Sequence, residues 1–420
     1  MVPAHGARGG TAHAAAHVNY NRRAFASASS ADRLATIWEQ MSRVPWSQES
    51  SGAAGRNQMD DEVRGRAPGP ARVQGLHRFP WGRRLQPDVR HGRDGRGAVY
   101  AALDLGTNNC RLLIARPTAD SFRVVDAFSR IIRLGEGVSL SGVLSEAAID
   151  RAVDALSVCR DKMANRGVSR ARLIATEACR AAANGAAFLK HIRDAVGIEL
   201  EIIDRETEAE LAATGCTPLV DPQAGGVLLF DIGGGSSELV RLGPSISVGG
   251  GPPLPKIAAW ASLPVGVVTL AERHGGVTVD RAVFDAMVAE VAVYVERFAA
   301  EHGKAEPDML LGTSGTVTTI CGVHLGLRRY DRRQVDGCWM SAEQVTLVVE
   351  QLLSMSYEER VANACIGRER ADLVLAGCAI LEAIRRTFPC TRLRIADRGL
   401  REGMLVQMMR EDRAWRGAAQ

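Results

Sequence analysis

Two segments of the sequence place an aspartate directly before a glycine-rich turn, Asp104 in one and Asp231 in the other. Glycines let backbone N–H groups converge, and neighbouring hydroxyl and amide side chains complete a nest for phosphate oxygens. An aspartate at this point holds a divalent cation or orients a water molecule. The alternative is an ordinary β-hairpin whose glycines serve only the turn. The side chains predicted to complete these nests are Thr107, Asn108, Ser236 and Ser237.

A second candidate is the acidic segment 206–210, which follows the apolar stretch Leu200–Ile203. If this segment is helical, Glu208 shares a face with Leu211 and Ala212. A carboxylate on an apolar face has a raised pKa, which suits a general base. The alternative is a solvated acidic helix start, which the helix dipole favours. The pattern alone leaves both open.

Two arginines are further candidates for phosphate contacts. Arg180 lies one helical turn after Thr176, and Arg133 precedes a glycine loop. Because the chain has 48 arginines and four lysines, a surface position is the alternative for each. Ser314 has no surrounding G-x-S-x-G, and no P-loop lysine motif occurs, which argues against a serine hydrolase and a P-loop NTPase.

An internal repeat indicates how these residues are positioned. The strand and turn at 99–109 have a counterpart at 227–237, and the strand with its Thr-rich turn at 172–178 has one at 309–316. Two copies in the same order predict an α/β protein with two lobes around a central cleft. Helical periodicity predicts helices over 145–166 and 281–302. The predicted domains are a disordered extension (1–98), the first lobe (99–222), the second lobe with its C-terminal helix (223–410) and a tail (411–420).

Charge is unevenly distributed over the 420 residues. Residues 1–98 carry a net charge of +7 and the remainder −3, so a nucleic-acid-binding body is not expected. The nine cysteines form no C-x-x-C pair, and no apolar run reaches the roughly 18 residues of a membrane span. We therefore expect a cytoplasmic protein with reduced thiols and no membrane contact. For the basic extension, a transit peptide is the alternative to disorder.

From about Tyr100 to Gly403 the chain resembles the exopolyphosphatase/guanosine pentaphosphate phosphohydrolase (Ppx/GppA) family of the actin-like (ribonuclease H-like, ASKHA) superfold. The resemblance is carried by several motifs in order: DLGTN at 104–108, RLGEG at 133–137, ATEACR at 175–180, IDRETE at 203–208, DIGGGSSE at 231–238, SLPVG at 262–266, GTSGT at 312–316 and GLREG at 399–403.

The resemblance implies hydrolysis of the terminal phosphoanhydride of polyphosphate or of the 5′ γ-phosphate of guanosine pentaphosphate. By this comparison Glu208 activates the attacking water, and Asp231 and Glu238 orient water and bind Mg²⁺. The implied phosphate-contacting positions are Asp104, Gly106, Thr107, Asn108, Arg133, Arg180, Gly233, Gly234, Gly235, Ser236, Ser314 and Gly315. A homodimer is also possible.

Three departures from the family pattern affect these expectations. Asn109 replaces the usual Ser or Thr, and Arg205-Glu206-Thr207 replaces the usual Gly-x-Glu before the catalytic carboxylate. Long members carry a C-terminal helical domain, whereas 17 residues follow Gly403, so we expect less processive cleavage. Two alternatives remain: a small-molecule kinase of the same superfold, and a non-catalytic nucleotide or polyphosphate sensor.

Overall fold

The computed structural model describes residues 97–247 and 250–415. The predicted extension of residues 1–98 therefore lies outside the described residues, apart from its last two positions. The predicted tail is described only as far as residue 415.

The first lobe is built on a five-stranded sheet in the order β3-β2-β1-β4-β5. Strands β1 to β3 form an antiparallel meander, and β4 and β5 run parallel to β1. The strands are β1 Tyr100–Leu105, β2 Asn109–Pro117, β3 Phe122–Ile131, β4 Arg170–Ala175 and β5 Glu201–Ile202. The helices are α1 Val138–Ser141, α2 Glu146–Asn165, α3 Glu177–Ala181, α4 Gly185–Val196 and α5 Arg205–Cys216, and a short 3₁₀ turn at Thr217–Leu219 follows.

The second lobe repeats this topology in a six-stranded sheet, in the order β10-β11-β9-β6-β7-β8. The strands are β6 Val227–Ile232, β7 Ser237–Ile246, β8 Leu254–Leu263, β9 Met309–Thr313, β10 Trp339–Ser341 and β11 Arg392–Ala396. The helices are α6 Val267–His274, α7 Arg281–His302, α8 Gly315–His324, α9 Arg332–Val335, α10 Ala342–Ser354, α11 Tyr357–Ala362, α12 Val374–Thr387 and α13 Leu400–Glu411.

The two sheets confirm the predicted α/β fold with two actin-like lobes. Each begins with a three-stranded antiparallel meander whose first strand then pairs in parallel with a later strand. The two predicted long helices correspond to α2 and α7, which begin after the capping residues Ser145 and Asp280. Their caps accept hydrogen bonds from backbone N–H groups of the first turn, as expected for helix starts.

One helix of each lobe packs on the sheet of the other lobe. Helix α13 buries Met404 and Leu405 against Ala102 of β1, and α5 packs in the core beneath β6 and β9. The C-terminal helix, predicted as part of the second lobe, thus covers the first. The two helices pack closely on each other at two helical glycines, because a Cβ at Gly215 would overlap the carbonyl oxygen of Gly399 and one at Gly403 that of Leu211.

The nine cysteines are free thiols, and seven of them are buried. They act as small apolar core residues. No helix in the described ranges combines the length and apolarity needed to cross a membrane.

Candidate active site

A cavity of about 630 Å³ lies between the two lobes and is lined by both aspartate turns. All the predicted site residues line it except Arg133 and Arg180. The cavity thus brings together predicted residues that are up to 211 positions apart in the chain, from Asp104 on β1 to Gly315 at the start of α8.

The two turns have the same local geometry. Gly106 N donates to Asn109 O at 2.9 Å after β1, and Gly233 N donates to Ser236 O at 3.0 Å after β6. The turns also touch each other, since a Cβ on Gly234 would lie 2.9 Å from Cβ of Thr107. The glycines are therefore needed for close approach between the lobes, which an ordinary hairpin does not require.

Each turn is braced by a glycine loop of its own lobe. Gly135 N donates to Thr107 O at 2.9 Å, and Arg133 N donates to Asn108 O at 3.1 Å. In the second lobe the start of α6 takes this part, because Val267 N donates to Gly233 O at 3.0 Å. The repeated sequence loops thus fix the carbonyls of the turns and leave the opposite side of each turn to the cavity.

The aspartates differ in their cross-strand neighbours. Asp104 stands opposite Arg111 in the β1–β2 register, whereas Asp231 stands opposite Glu238 in the β6–β7 register. Directly opposed residues have Cβ atoms about 5 Å apart, and opposed like charges are destabilising. The first lobe therefore presents one carboxyl group and one guanidinium to the cavity, with no ion pair between them, and the second presents two carboxyl groups.

Burial dominates the protonation of these carboxyl groups. It raises the pKa of Asp231 to about 6, helped by the negative charge of Asp104, and it raises the pKa of Asp104. Burial also raises the pKa of Glu238, followed by the charges of Glu208 and Asp231. The side chain of Glu238 is fixed, since its Oε1 accepts 2.9 Å hydrogen bonds from the hydroxyls of Ser236 and Ser262.

Glu208 is not a solvated helix-start residue. It lies in the first turn of α5, which Asp204 caps by accepting from Thr207 N at 2.7 Å. The Glu208 side chain is only 14% exposed, and its Oε2 lies 3.0 Å from Nη2 of Arg180. Burial raises the pKa of Glu208 to about 7 against the opposing charge of Arg180. A carboxylate with this pKa is suited to take a proton near neutral pH.

The two predicted phosphate-binding arginines lie behind the cavity wall. Arg180 holds Glu208 and Glu177, which both line the cavity. Arg133 reaches across to the second lobe, where it donates to Asp372 Oδ1 at 2.7 Å and to Glu369 O at 3.1 Å. Each guanidinium is held by an acidic partner, and neither residue lines the cavity.

Five other arginines line the cavity, and sequence reasoning missed them: Arg111, Arg332, Arg370, Arg398 and Arg401. Arg332 pairs with Glu402, and Arg398 pairs with Asp336. The guanidinium groups of Arg111, Arg370 and Arg401 have no hydrogen-bond or ion-pair partner within the described residues. Burial, and then the charge of Arg111, lowers the pKa of Arg370. Such unpaired, half-buried cations are suited to bind an anion. The spacing of Arg111 in a hairpin centred on Thr107-Asn108 was the available signal, because it places the arginine opposite Asp104.

Ser314 has an unusual backbone at the cavity edge. Its φ of 80° and ψ of −173° fall in a region that residues with side chains rarely adopt. Its side chain acts on the Asp231 carboxyl and opposes the rise in the pKa of that group. The next residue, Gly315, begins α8, so the N-terminal end of this ten-residue helix borders the cavity.

Asn109 lines the same cavity. Its Oδ1 is buried and has no hydrogen-bond partner among the described residues, and the same holds for Oδ1 of Asn108. The departure at position 109 thus leaves an amide where a hydroxyl was expected.

Comparisons with known proteins agree with this geometry. The model of the Ppx/GppA phosphatase family matches residues 113–412. A putative exopolyphosphatase of Haemophilus influenzae is 26% identical over 77% of this chain and 94% of its own length. A guanosine-5′-triphosphate,3′-diphosphate pyrophosphatase of Photobacterium profundum is 29% identical over 74% of this chain, which spans 59% of that relative. The crystal structure of the Aquifex aeolicus Ppx/GppA family member is 27% identical over 75% of this chain and 98% of its own, with a TM-score of 0.63.

Proposed function

Because the chain belongs to the Ppx/GppA phosphatase family, we propose that it releases orthophosphate from the end of inorganic polyphosphate or from the 5′ γ-position of guanosine pentaphosphate. Both reactions break a phosphoanhydride bond by attack of water. The observation that carries the proposal is the cavity itself, in which a buried glutamate with a pKa of about 7 faces two phosphate-type turns.

Binding of the terminal phosphate is assigned to the two turns and to the unpaired arginines. The backbone N–H groups around Thr107 and Gly234 supply directed donors, and Arg111 and Arg370 supply positive charge. This local arrangement is needed because residues 99–420 carry a net charge of −3, so no overall positive field attracts a polyanion.

The donor set of the second lobe fits Mg²⁺. Within the described residues, no group of three or more His, Cys, Asp and Glu side chains is arranged to hold a metal. Mg²⁺, however, is commonly held by one or two carboxylates, with water and substrate phosphate oxygens completing its shell. Asp231 and Glu238 form such a pair, and their mutual repulsion is a reason to bind a cation. The ion would neutralise charge on the transferring phosphate.

Glu208 is assigned as the base that accepts the proton of the attacking water. Its ionised form predominates above its pKa of about 7, and the hydrogen bond from Arg180 holds the carboxylate in place. Proton transfer to a positioned base contributes about 10²- to 10⁴-fold to the rate. Positioning and charge stabilisation by the turns and arginines supply the remainder.

The test is phosphate release from polyphosphate and from guanosine pentaphosphate, measured in parallel with Mg²⁺ present. We expect release from at least one substrate, and a decrease of about 10²-fold or more for Glu208→Gln. Glu210→Gln is the matched control, because Glu210 lies on the same helix and is exposed.

Two outcomes would contradict the proposal. Full activity of Glu208→Gln would remove the assigned base. Absence of release from both substrates, with transfer of phosphate to a small-molecule acceptor, would instead favour a kinase. The lengths of the polyphosphate products test the expectation of low processivity. Polyphosphates of intermediate length accumulate only when the enzyme dissociates between cleavages.

A further inference from the structure

A chain of four charged side chains ends at Glu208. Arg205 Nη2 lies 3.0 Å from Glu177 Oε1, and Arg180 donates to Glu177 Oε2 from Nε at 2.9 Å and from Nη2 at 2.6 Å. The same Nη2 lies 3.0 Å from Glu208 Oε2. Positive and negative groups therefore alternate from Arg205 through Glu177 and Arg180 to Glu208.

Arg180 is the only cation of these four side chains that touches Glu208, and Glu177 shares it. The shorter hydrogen bonds of Arg180 go to Glu177, not to Glu208. Its third nitrogen, Nη1, donates a hydrogen bond to the carbonyl oxygen of Ile203 at 2.6 Å. Because the guanidinium is held on three sides, it cannot turn fully towards Glu208. Glu177 thus limits the positive charge that Glu208 receives.

Arg205 lies at the other end of this row of charged side chains, next to Glu177. Its closer contact is to Oε1 of Glu177, which Arg180 leaves free, and it also lies 3.4 Å from the Oε2 that Arg180 binds. Arg205 belongs to the segment that departs from the family pattern, so this feature belongs to this sequence. A cation at this point weakens the hold of Glu177 on Arg180, because Glu177 divides its charge between two partners.

We propose that Glu177 and Arg205 are positioning residues that act through Arg180 and set the basicity of Glu208 in opposite directions. The inference rests on the proposed role of Glu208 as the base. Buried or part-buried ion pairs transmit such effects, since screening by solvent is weak there; the side chains of Glu177, Arg180 and Glu208 are each less than 20% exposed.

The acidic groups around Glu208 act in one direction only. Asp104 on β1, Asp231 on β6 and Glu238 on β7 all oppose its ionisation. Of the described groups behind Glu208, only Arg180 favours the ionised form. Changes at Glu177 and Arg205 therefore reach Glu208 through a single guanidinium.

The experiment is the pH profile of kcat/KM for phosphate release, for wild type, Glu177→Gln, Arg205→Gln and the double variant. In Glu177→Gln, Arg180 keeps Glu208 as its only carboxylate partner, so the acid limb should move down by about one pH unit. At a pH on the acid limb, kcat/KM relative to its plateau should then be roughly tenfold higher than in the wild type. In Arg205→Gln the limb should move up by about half a unit, or roughly threefold. The double variant should match Glu177→Gln, because Arg205 acts only through Glu177.

Arg193→Gln is the matched control, since it removes one exposed positive charge from the first lobe and should leave the limb unchanged. Equal falls in kcat/KM at every pH, without movement of the limb, would show a merely structural role and overturn the inference. A limb that moves in the same direction for both variants, or additive shifts in the double variant, would also overturn it.

Failure of the inference is distinguishable from failure of the proposed function. If Glu208→Gln keeps full activity, the base is wrongly assigned and the limb belongs to another group. If Glu208→Gln is inactive and the limb does not respond to Glu177→Gln, only the positioning role is lost. Infrared difference titration of the Glu208 carboxyl band, identified by its loss in Glu208→Gln, gives the same shifts without turnover.

Discussion

The second lobe holds two acidic side chains, Asp231 and Glu238, that face each other rather than a positively charged partner. Asp231 and Glu238 oppose each other across β6 and β7, and the pKa of each is raised by burial. Pairs of this kind are typical of functional sites, where groups are held in states that cost folding free energy. The serine hydroxyls that bind Glu238 reduce this cost and orient the carboxylate.

The stability of the metal-free protein should reflect the Asp231 carboxyl. Its pKa is about 6 in the folded protein, against 3.8 for an aspartate exposed to water in the unfolded chain, so the folded protein binds this proton more tightly. Its contribution is fully present below about pH 4 and is lost as the pH rises through about 6. We expect Asp231→Asn to match wild type near pH 4 and to exceed it by on the order of 2 kcal/mol at pH 7.5, measured by urea unfolding with a chelator present.

Mg²⁺ provides the control for this prediction. Added Mg²⁺ should raise the Tm of wild type and should have little effect on Asp231→Asn, because only the wild type retains both carboxylates of the proposed site. If the free energies of unfolding of wild type and Asp231→Asn differ by the same amount at pH 4 and at pH 7.5, the Asp231 carboxyl is not the group that destabilises the folded protein at high pH.

At the scale of elements, the repeat made most of the fold predictable. The two Asp-x-Gly turns, the glycine loops and the long helices recur in the order that the two sheets require. The exchange of α5 and α13 between lobes was not predictable, since it depends on backbone contacts at Gly215 and Gly403. Glycines inside helices usually weaken them, and only tertiary contact explains their presence here.

The candidate site was predictable to the same extent. Residues within the turns were found because glycine and hydroxyl patterns are local. Arg370 and Arg401 were not found, because single arginines in an arginine-rich chain carry no local signal and reach the cavity only through the tertiary fold. For the same reason the sequence did not reveal that Arg133 pairs with Asp372.

At the scale of the whole molecule, two contacts fasten the lobes across the cleft. Arg133 of the first lobe binds Asp372 of the second at 2.7 Å. Gly137 N donates to Glu272 Oε1 at 2.7 Å, and Ser139 donates to the other oxygen of the same carboxylate. Because Arg133 and α6, which carries Glu272, also brace the phosphate turns, lobe closure and turn geometry are mechanically linked.

Removing the ion pair between Arg133 and Asp372 should weaken substrate binding more than it slows the chemical step. For Asp372→Asn we expect KM to rise about fivefold with little change in kcat, since a part-buried ion pair contributes roughly 1 kcal/mol. Small-angle scattering should show a larger radius of gyration in the free variant. Arg281→Gln, which removes an ion pair within the second lobe, is the control. Unchanged KM and radius in Asp372→Asn would show that the contact does not hold the lobes together.

The central claim is that water attacks the terminal phosphorus in this cavity, and its most direct test is phosphate release in ¹⁸O-labelled water. We predict that each orthophosphate released by the wild type carries one oxygen atom from solvent, that the remaining chain or nucleotide carries none, and that Glu208→Gln releases little labelled phosphate. Label in the remaining chain, or release only when an acceptor molecule is present, would contradict the account.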